Sequence, residues 1–272
     1  MSEAADARGT ERTGENSLRL DVRGDGVAVL TFDRPEVRNA INWGLYQRLG
    51  DLLDEVAQRE KEISVLVLRG EGGAFCAGGD ISFMRQMFSG EIDKADVGAL
   101  ALRVFRAQTA LPQPTIAVVD GPAIGLGCTL ALACDLVFAS TRAVFADPHV
   151  QMGLVPGDGA ALIWPMLVGP ARAKEFLFTG DPLRGAEAER LGLVNRVYPP
   201  ETVHDEALAF AARLASGPPV AIRGAKSLVN IALRSLGEQV VPQGLTLESL
   251  SQESDYHRKA VEGFLAGSPL RF

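Results

Sequence analysis

The sequence predicts an α/β fold on three observations. Two segments share one order, a short apolar run, then a glycine-rich turn, then a helix: one begins at Ile63 and the other at Thr115. The runs Ile63-Ser-Val-Leu-Val-Leu68 and Thr115-Ile-Ala-Val-Val119 are β-branched and nearly unbroken, as strands buried on both faces of a sheet require. After Pro199-Pro200 strand patterns give way to helical ones. A chain of 272 residues, 47% hydrophobic and 22% charged, is an ordinary globular composition with material for one large core or two modest ones.

Residues 1–16 are polar, charged and free of large apolar side chains, which predicts a disordered tail. Alternating apolar residues on either side of Gly24-Asp25-Gly26 predict a β-hairpin over residues 18–32. Asn42 is placed to cap an amphipathic helix to about residue 58, with Leu45, Leu49, Leu52, Leu53 and Val56 on one face. Helices are expected at 97–111, 129–134, 161–167, 171–178 and 185–191, and short strands at 136–139, 143–146 and 194–197. The C-terminal part is read as three helices at about 202–215, 219–233 and 245–265. The expected organisation is therefore a tail (1–16), a strand-rich core carrying the site (17–200) and a helical region (201–272).

The net charge of −7 argues against a nucleic-acid surface. Cys76, Cys128 and Cys134 show no CxxC spacing and read as unpaired core thiols of a reducing compartment. Without an apolar run of eighteen residues or a signal-peptide core, no membrane partner is expected, and the location is read as cytoplasmic. His204 and His257 have no partners at metal-ligand spacing, so no metal is expected.

Chemistry points to the two glycine turns. A helix starting at Gly125–Gly127 aims unpaired N–H groups out of the turn, and such donors suit a phosphate or a developing oxyanion. A plain strand-to-helix turn that binds nothing is the competing assignment. A dinucleotide site is excluded because Gly121, Gly125 and Gly127 lack GxGxxG spacing, and a P-loop because no GK[ST] follows either turn.

Phe75-Cys-Ala-Gly-Gly-Asp80 and Asp120-Gly-Pro-Ala-Ile-Gly-Leu-Gly-Cys128 resemble the two signatures of the crotonase, or enoyl-CoA hydratase/isomerase, superfamily. Arg34-Pro-Glu-Val-Arg-Asn-Ala-Ile41, Phe145-Ala-Asp-Pro148, Gly153-Leu-Val-Pro-Gly157, Thr179-Gly-Asp181 and Gly192-Leu-Val-Asn195 follow in the family's order. The resemblance implies a spiral of ββα units with a helical C-terminal trimerisation region, in homotrimers or dimers of trimers. It implies an acyl-CoA thioester substrate, coenzyme A being part of the substrate and no cofactor being needed. The enolate oxyanion would be held by the backbone amides of Gly79 and Leu126. The positions of the hydratase glutamate pair carry Thr129 and His149, which puts two-glutamate hydration in doubt and brings isomerase or lyase chemistry, or a non-catalytic acyl-CoA-binding subunit, into consideration. His149 titrates near neutrality and suits acid–base work; a wall residue bonded to a loop carbonyl is its alternative. Asp158 orients His149 or moves the proton itself, against an alternative as a helix cap before Ala160. For the CoA and acyl path the resemblance selects Arg38, Ala77, Gly78, Asp80, Ile81, Gly125 and Thr129, with Asp80 also read as a helix cap and Thr129 as bonded to a carbonyl. Arg271 and Phe272 reach toward a ligand or form a frayed end.

Overall fold

The structure, a computed structural model, describes residues 17–268. The predicted tail and the positions of Arg271 and Phe272 lie outside the described residues. Strands β1 (Leu18–Val22) and β2 (Val27–Phe32) form the expected antiparallel hairpin, with Leu18 opposite Phe32 and Val22 opposite Ala28. Helix α1 (Trp43–Gln58) starts where predicted, because the Asn42 side chain accepts the Leu45 amide at 2.8 Å. There follow β3 (Val65–Gly70), α2 (Ile81–Ser89), α3 (Lys94–Ala110), β4 (Thr115–Val119), β5 (Pro122–Ile124) and α4 (Leu126–Leu132). Then come β6 (Leu136–Ser140), β7 (Val144–Ala146), a 3-10 turn (His149–Met152), α5 (Ala160–Val168), α6 (Pro170–Thr179), β8 (Leu183–Arg184), α7 (Gly185–Leu191) and β9 (Arg196–Tyr198). Four helices complete the described chain: α8 (Val203–Ala215), α9 (Pro219–Val229), α10 (Ile231–Ser251) and α11 (Asp255–Leu265). No helix among the described residues is long and apolar enough to cross a membrane.

The main sheet has the order β1-β2-β3-β4-β6-β9 and is parallel from β2 onward; β5, β7 and β8 form a second, smaller sheet. The parallel strands β2, β3, β4 and β6 are largely buried on both faces, as their unbroken apolar runs require, whereas β9 is an exposed edge. Leu66 and Leu68 of β3 face a core shared with α1, α3, α4 and α5, whereas Val65 and Val67 face Val203, Ala207 and Ala211 of α8.

Two expectations are corrected. Residues 122–124 lie in strand β5, because the Ile124 amide bonds Cys76 O and Pro122 O accepts the Phe75 amide, both at 2.9 Å. The helix expected over 245–265 is two. Helix α10 begins at Ile231 and runs through Pro242, and α11 restarts where Ser254 Oγ accepts the His257 amide at 3.1 Å. Packing overrides the local proline and glycine signals here: Gly237 lies against Phe105, and Gly244 against the backbone of Gly157.

Candidate active site

The two glycine turns lie side by side at the ends of β3 and β4. Cys76 and Ala123 form a parallel bridge that joins them. Gly78, at φ 89°, fits only because it lacks a Cβ, which would stand 2.8 Å from Ile124 O and 4.0 Å from Leu126 N. Gly127 is equally constrained, a Cβ there lying 2.4 Å from Cys76 O. Ile41 bonds to Gly78 O and to the Asp80 amide, which leaves the Gly79 N–H between them without an acceptor among the described residues. Leu126 is the first residue of α4, so its N–H has no partner within the helix. Among the described residues both amides therefore lack acceptors, and both residues border one cavity of about 390 Å³.

The cavity is divided by polarity. Phe83, Met84, Met87 and Phe88 of α2 supply an apolar wall, continued by Val97 and Ala101 of α3. Lys94 and Glu253 are ion-paired at 2.5 Å and also border it. Also bordering it is a set of ionisable groups from four parts of the chain: Tyr46 of α1, His149 of the 3-10 turn, Asp158 of the loop before α5, and Glu248 of α10.

His149 sits beside the second glycine turn, its Cε1 3.8 Å from where a Cβ of Gly125 would stand. Its Nδ1 meets Asp147 Oδ1 at 2.5 Å. Burial disfavours the imidazolium, but the charge of Asp147 and the hydrogen bond to it, with Asp158 and Glu248 adding, hold His149 well above its ordinary pKa. Asp158 Oδ1 accepts from Thr129 Oγ1 at 3.0 Å and only distantly from the Ala160 amide at 3.4 Å, while Oδ2 is buried without a partner. Burial pushes the Asp158 carboxyl up, opposed by the His149 charge. Glu248 Oε2 is likewise buried and unpartnered, and burial pushes this carboxyl up to about 7, again opposed by His149. Asp147, His149 and Asp158 place their donor atoms within 4.8 Å of one another, but the short His149–Asp147 contact is that of an ion pair, and no metal is assigned.

Gly79, Leu126, His149 and Asp158 thus border one cavity, with Ala77, Gly78 and Gly125 beside them. Thr129 lies behind the wall, where it bonds a carboxylate rather than a carbonyl and so orients Asp158. Asp80 caps α2 by accepting the Ser82 amide at 2.9 Å and pairs with Arg34 at 2.9 Å; although burial opposes it, these bonds hold its carboxyl below the usual range. Arg38 and Ile81 are exposed at the edge of the first turn, away from the cavity wall. The Arg38 carbonyl accepts the Ala77 amide at 3.0 Å.

Sequence reasoning missed Tyr46, Asp147, Glu248 and Gln252. A signal for two of them exists. Val241, Leu245, Glu248 and Gln252 follow the 4-3-4 spacing of one helical face, so two polar residues occupy positions where that face otherwise turns apolar residues inward.

A two-sheet α/β fold with paired glycine turns over an acid-lined cavity defines a crotonase-type protein. The profile of the enoyl-CoA hydratase/isomerase family matches residues 23–271, and the chain belongs to that family. It is 37% identical to a crotonyl-CoA hydratase of Syntrophomonas wolfei over 210 residues, 77% of this chain and 80% of that protein. It is 35% identical over 254 residues to an enoyl-CoA isomerase/hydratase of Mycosarcoma maydis, covering 88% and 89% of the two chains. The crystal structure of an enoyl-CoA hydratase/isomerase from Mycobacterium paratuberculosis superposes with a TM-score of 0.84 at 32% identity, over 89% of this chain and 97% of that one. These matches bear out the crotonase spiral and the enzyme class.

Proposed function

We propose that the protein processes an acyl-CoA thioester through an enolate, with the amides of Gly79 and Leu126 bonding the thioester oxygen and Asp158 moving the proton. The observation that carries this is the pair of acceptor-free backbone N–H groups bordering the same cavity as Asp158 and His149. Fixed donors aimed where charge develops lower a barrier without reorganising, and one such donor is worth about 3 kcal/mol. His149, held as a cation by Asp147, adds positive charge beside the developing oxyanion and opposes the rise that burial imposes on the Asp158 pKa. Thr129 fixes the carboxylate that does the work. The apolar wall of α2 and α3 takes the acyl chain and keeps water from its length. Coenzyme A enters as part of the substrate, and no separate cofactor is needed. Exposed apolar residues on the last helices, among them Val220, Leu228, Val229 and Ile231, suit burial against further copies in a homotrimer or dimer of trimers.

Mixing the protein with short and medium 2-enoyl- and 3-enoyl-CoA thioesters tests the reading. Loss of the conjugated thioester absorbance, or its appearance from a 3-enoyl substrate, is expected. Asp158→Asn should lower kcat by about 100-fold or more with little change in KM. Saturable binding without turnover across the panel would refute the enzymatic reading in favour of a binding subunit.

A further inference from the structure

We propose that Glu248, carried by α10, pairs with Asp158 to hold one water molecule against the double bond, so that the reaction run in this cavity is hydration. The inference rests on the enolate reading above and names its second reactant.

Glu248 Oε2 and Asp158 Oδ2 are both buried and both without a hydrogen-bond partner. A buried polar atom left unpaired costs about 1–3 kcal/mol, so an occupant that donates to Asp158 and accepts from a neutral Glu248 carboxyl is favoured there. Water has both O–H donors and acceptor lone pairs. The carbon chain of an enoyl thioester has neither near its double bond. Gln252 Oε1, one helical turn beyond Glu248 and also unpartnered, supplies a further acceptor at the same end.

Two of the neighbouring polar groups are already engaged. Thr129 spends its hydroxyl on Asp158, and His149 is tied through Nδ1 to Asp147. The placement of Glu248 is rigid: α10 packs against the loop before α5 so closely that a Cβ on Gly157 would lie 2.6 Å from Gly244 O and 2.7 Å from Glu248 Oε2. Double-bond migration needs one group that takes a proton and returns it elsewhere on the chain, which gives a second vacant carboxyl nothing to do. Addition of water needs two proton-transfer groups at once.

The groups facing Glu248 are Tyr46 from α1, Asp147 and His149 from the 3-10 turn region, and Asp158 from the loop before α5. Gln252 and Glu253 follow on its own side, Lys94 of α3 pairs with Glu253, and His257 and Arg258 of α11 border the cavity. Burial and the charges of Asp158 and Asp147 favour the neutral Glu248 carboxyl, while the His149 cation favours the ionised form of Asp158 against its burial. The step then balances. The water oxygen bonds to Cβ as the π pair moves toward the thioester carbonyl, and the water proton passes to Asp158. Glu248 gives its proton to Cα as the enolate collapses. One water is consumed, one proton is taken and one is given, and exchange with solvent returns the pair to its starting state.

The test uses the full chain in heavy-oxygen water with 2-enoyl- and 3-enoyl-CoA, beside Glu248→Gln and Glu248→Asp. The wild type should form a 3-hydroxyacyl-CoA carrying one solvent oxygen, with a rate that falls as pH rises through about 7. Glu248→Gln should lose about 100-fold in kcat with KM nearly unchanged and should lose that alkaline limb; Glu248→Asp should recover part of both. Turnover of the 3-enoyl substrate to 2-enoyl with no labelled hydroxyl product overturns the inference and leaves the enolate reading standing. So does a Glu248→Gln enzyme with wild-type kcat and pH profile. A wild-type protein that neither binds nor turns over any enoyl-CoA, tested by calorimetric titration, overturns the enolate reading itself. The wild-type label and pH profile decide the matter even where a variant fails to fold.

Discussion

Replacing Gly78 by alanine tests whether the contact between the two glycine turns sets the spacing of the Gly79 and Leu126 amides. The new Cβ would stand 2.8 Å from Ile124 O, against about 3.4 Å for an ordinary contact, so the turns must part by about 0.6 Å. A hydrogen bond of about 2.9 Å lengthened by that amount reaches roughly 3.5 Å, where it is nearly lost. Losing one donor to the oxyanion costs about 3 kcal/mol, or roughly 100-fold in kcat. The residue also sits at φ 89°, which adds about 1–2 kcal/mol of backbone strain to the folded state. Initial rates on an enoyl-CoA, together with urea unfolding, separate the two effects. Gly98→Ala on α3 is the control, because nothing lies within 4 Å of its Cβ position and the change should stabilise by about 0.5–1 kcal/mol without altering kcat. A Gly78→Ala protein that folds and turns over at the wild-type rate would refute the assignment of the two amides to one oxygen.

Two further perturbations address the polar cluster. Thr129→Val leaves Asp158 Oδ1 with only the 3.4 Å amide contact, which should cost about 1–3 kcal/mol of stability and raise the Asp158 pKa further, shifting the acidic limb of kcat upward; an unmoved limb contradicts the positioning role. Asp147→Asn removes the charge that opposes the desolvation of His149, so NMR titration of the ring should show its pKa falling. Because His149 is raised in the folded state, its contribution to stability is complete below the unfolded value of about 6.5 and is lost as pH rises through the folded value. The variant should therefore lose stability most at low pH, as denaturant midpoints measured across pH will show.

The strands, the Asn42 cap and both glycine turns were legible because each rests on a local rule: unbroken apolar runs for strands buried on two faces, a side-chain acceptor for an unpaired amide, glycine where a Cβ has no room. The same locality hid β5, which is a strand only because Cys76 and Ala146 bring bonding partners from elsewhere in the chain. It hid the extent of α10 too, since Pro242 and Gly244 read as breakers until Gly157 and Phe105 are packed against that helix.

What the sequence determined by itself is the framework: the α/β order and the positions of the two turns whose amides lack acceptors. Tertiary structure alone decided which acids share their cavity. Glu248 is ninety residues from Asp158 along the chain, and no periodicity reports a distance across that interval. Only the packing of α10 on the loop before α5 takes both carboxyls out of water, and it is this shared desolvation, a property of the folded surroundings rather than of either residue, that raises their pKa values.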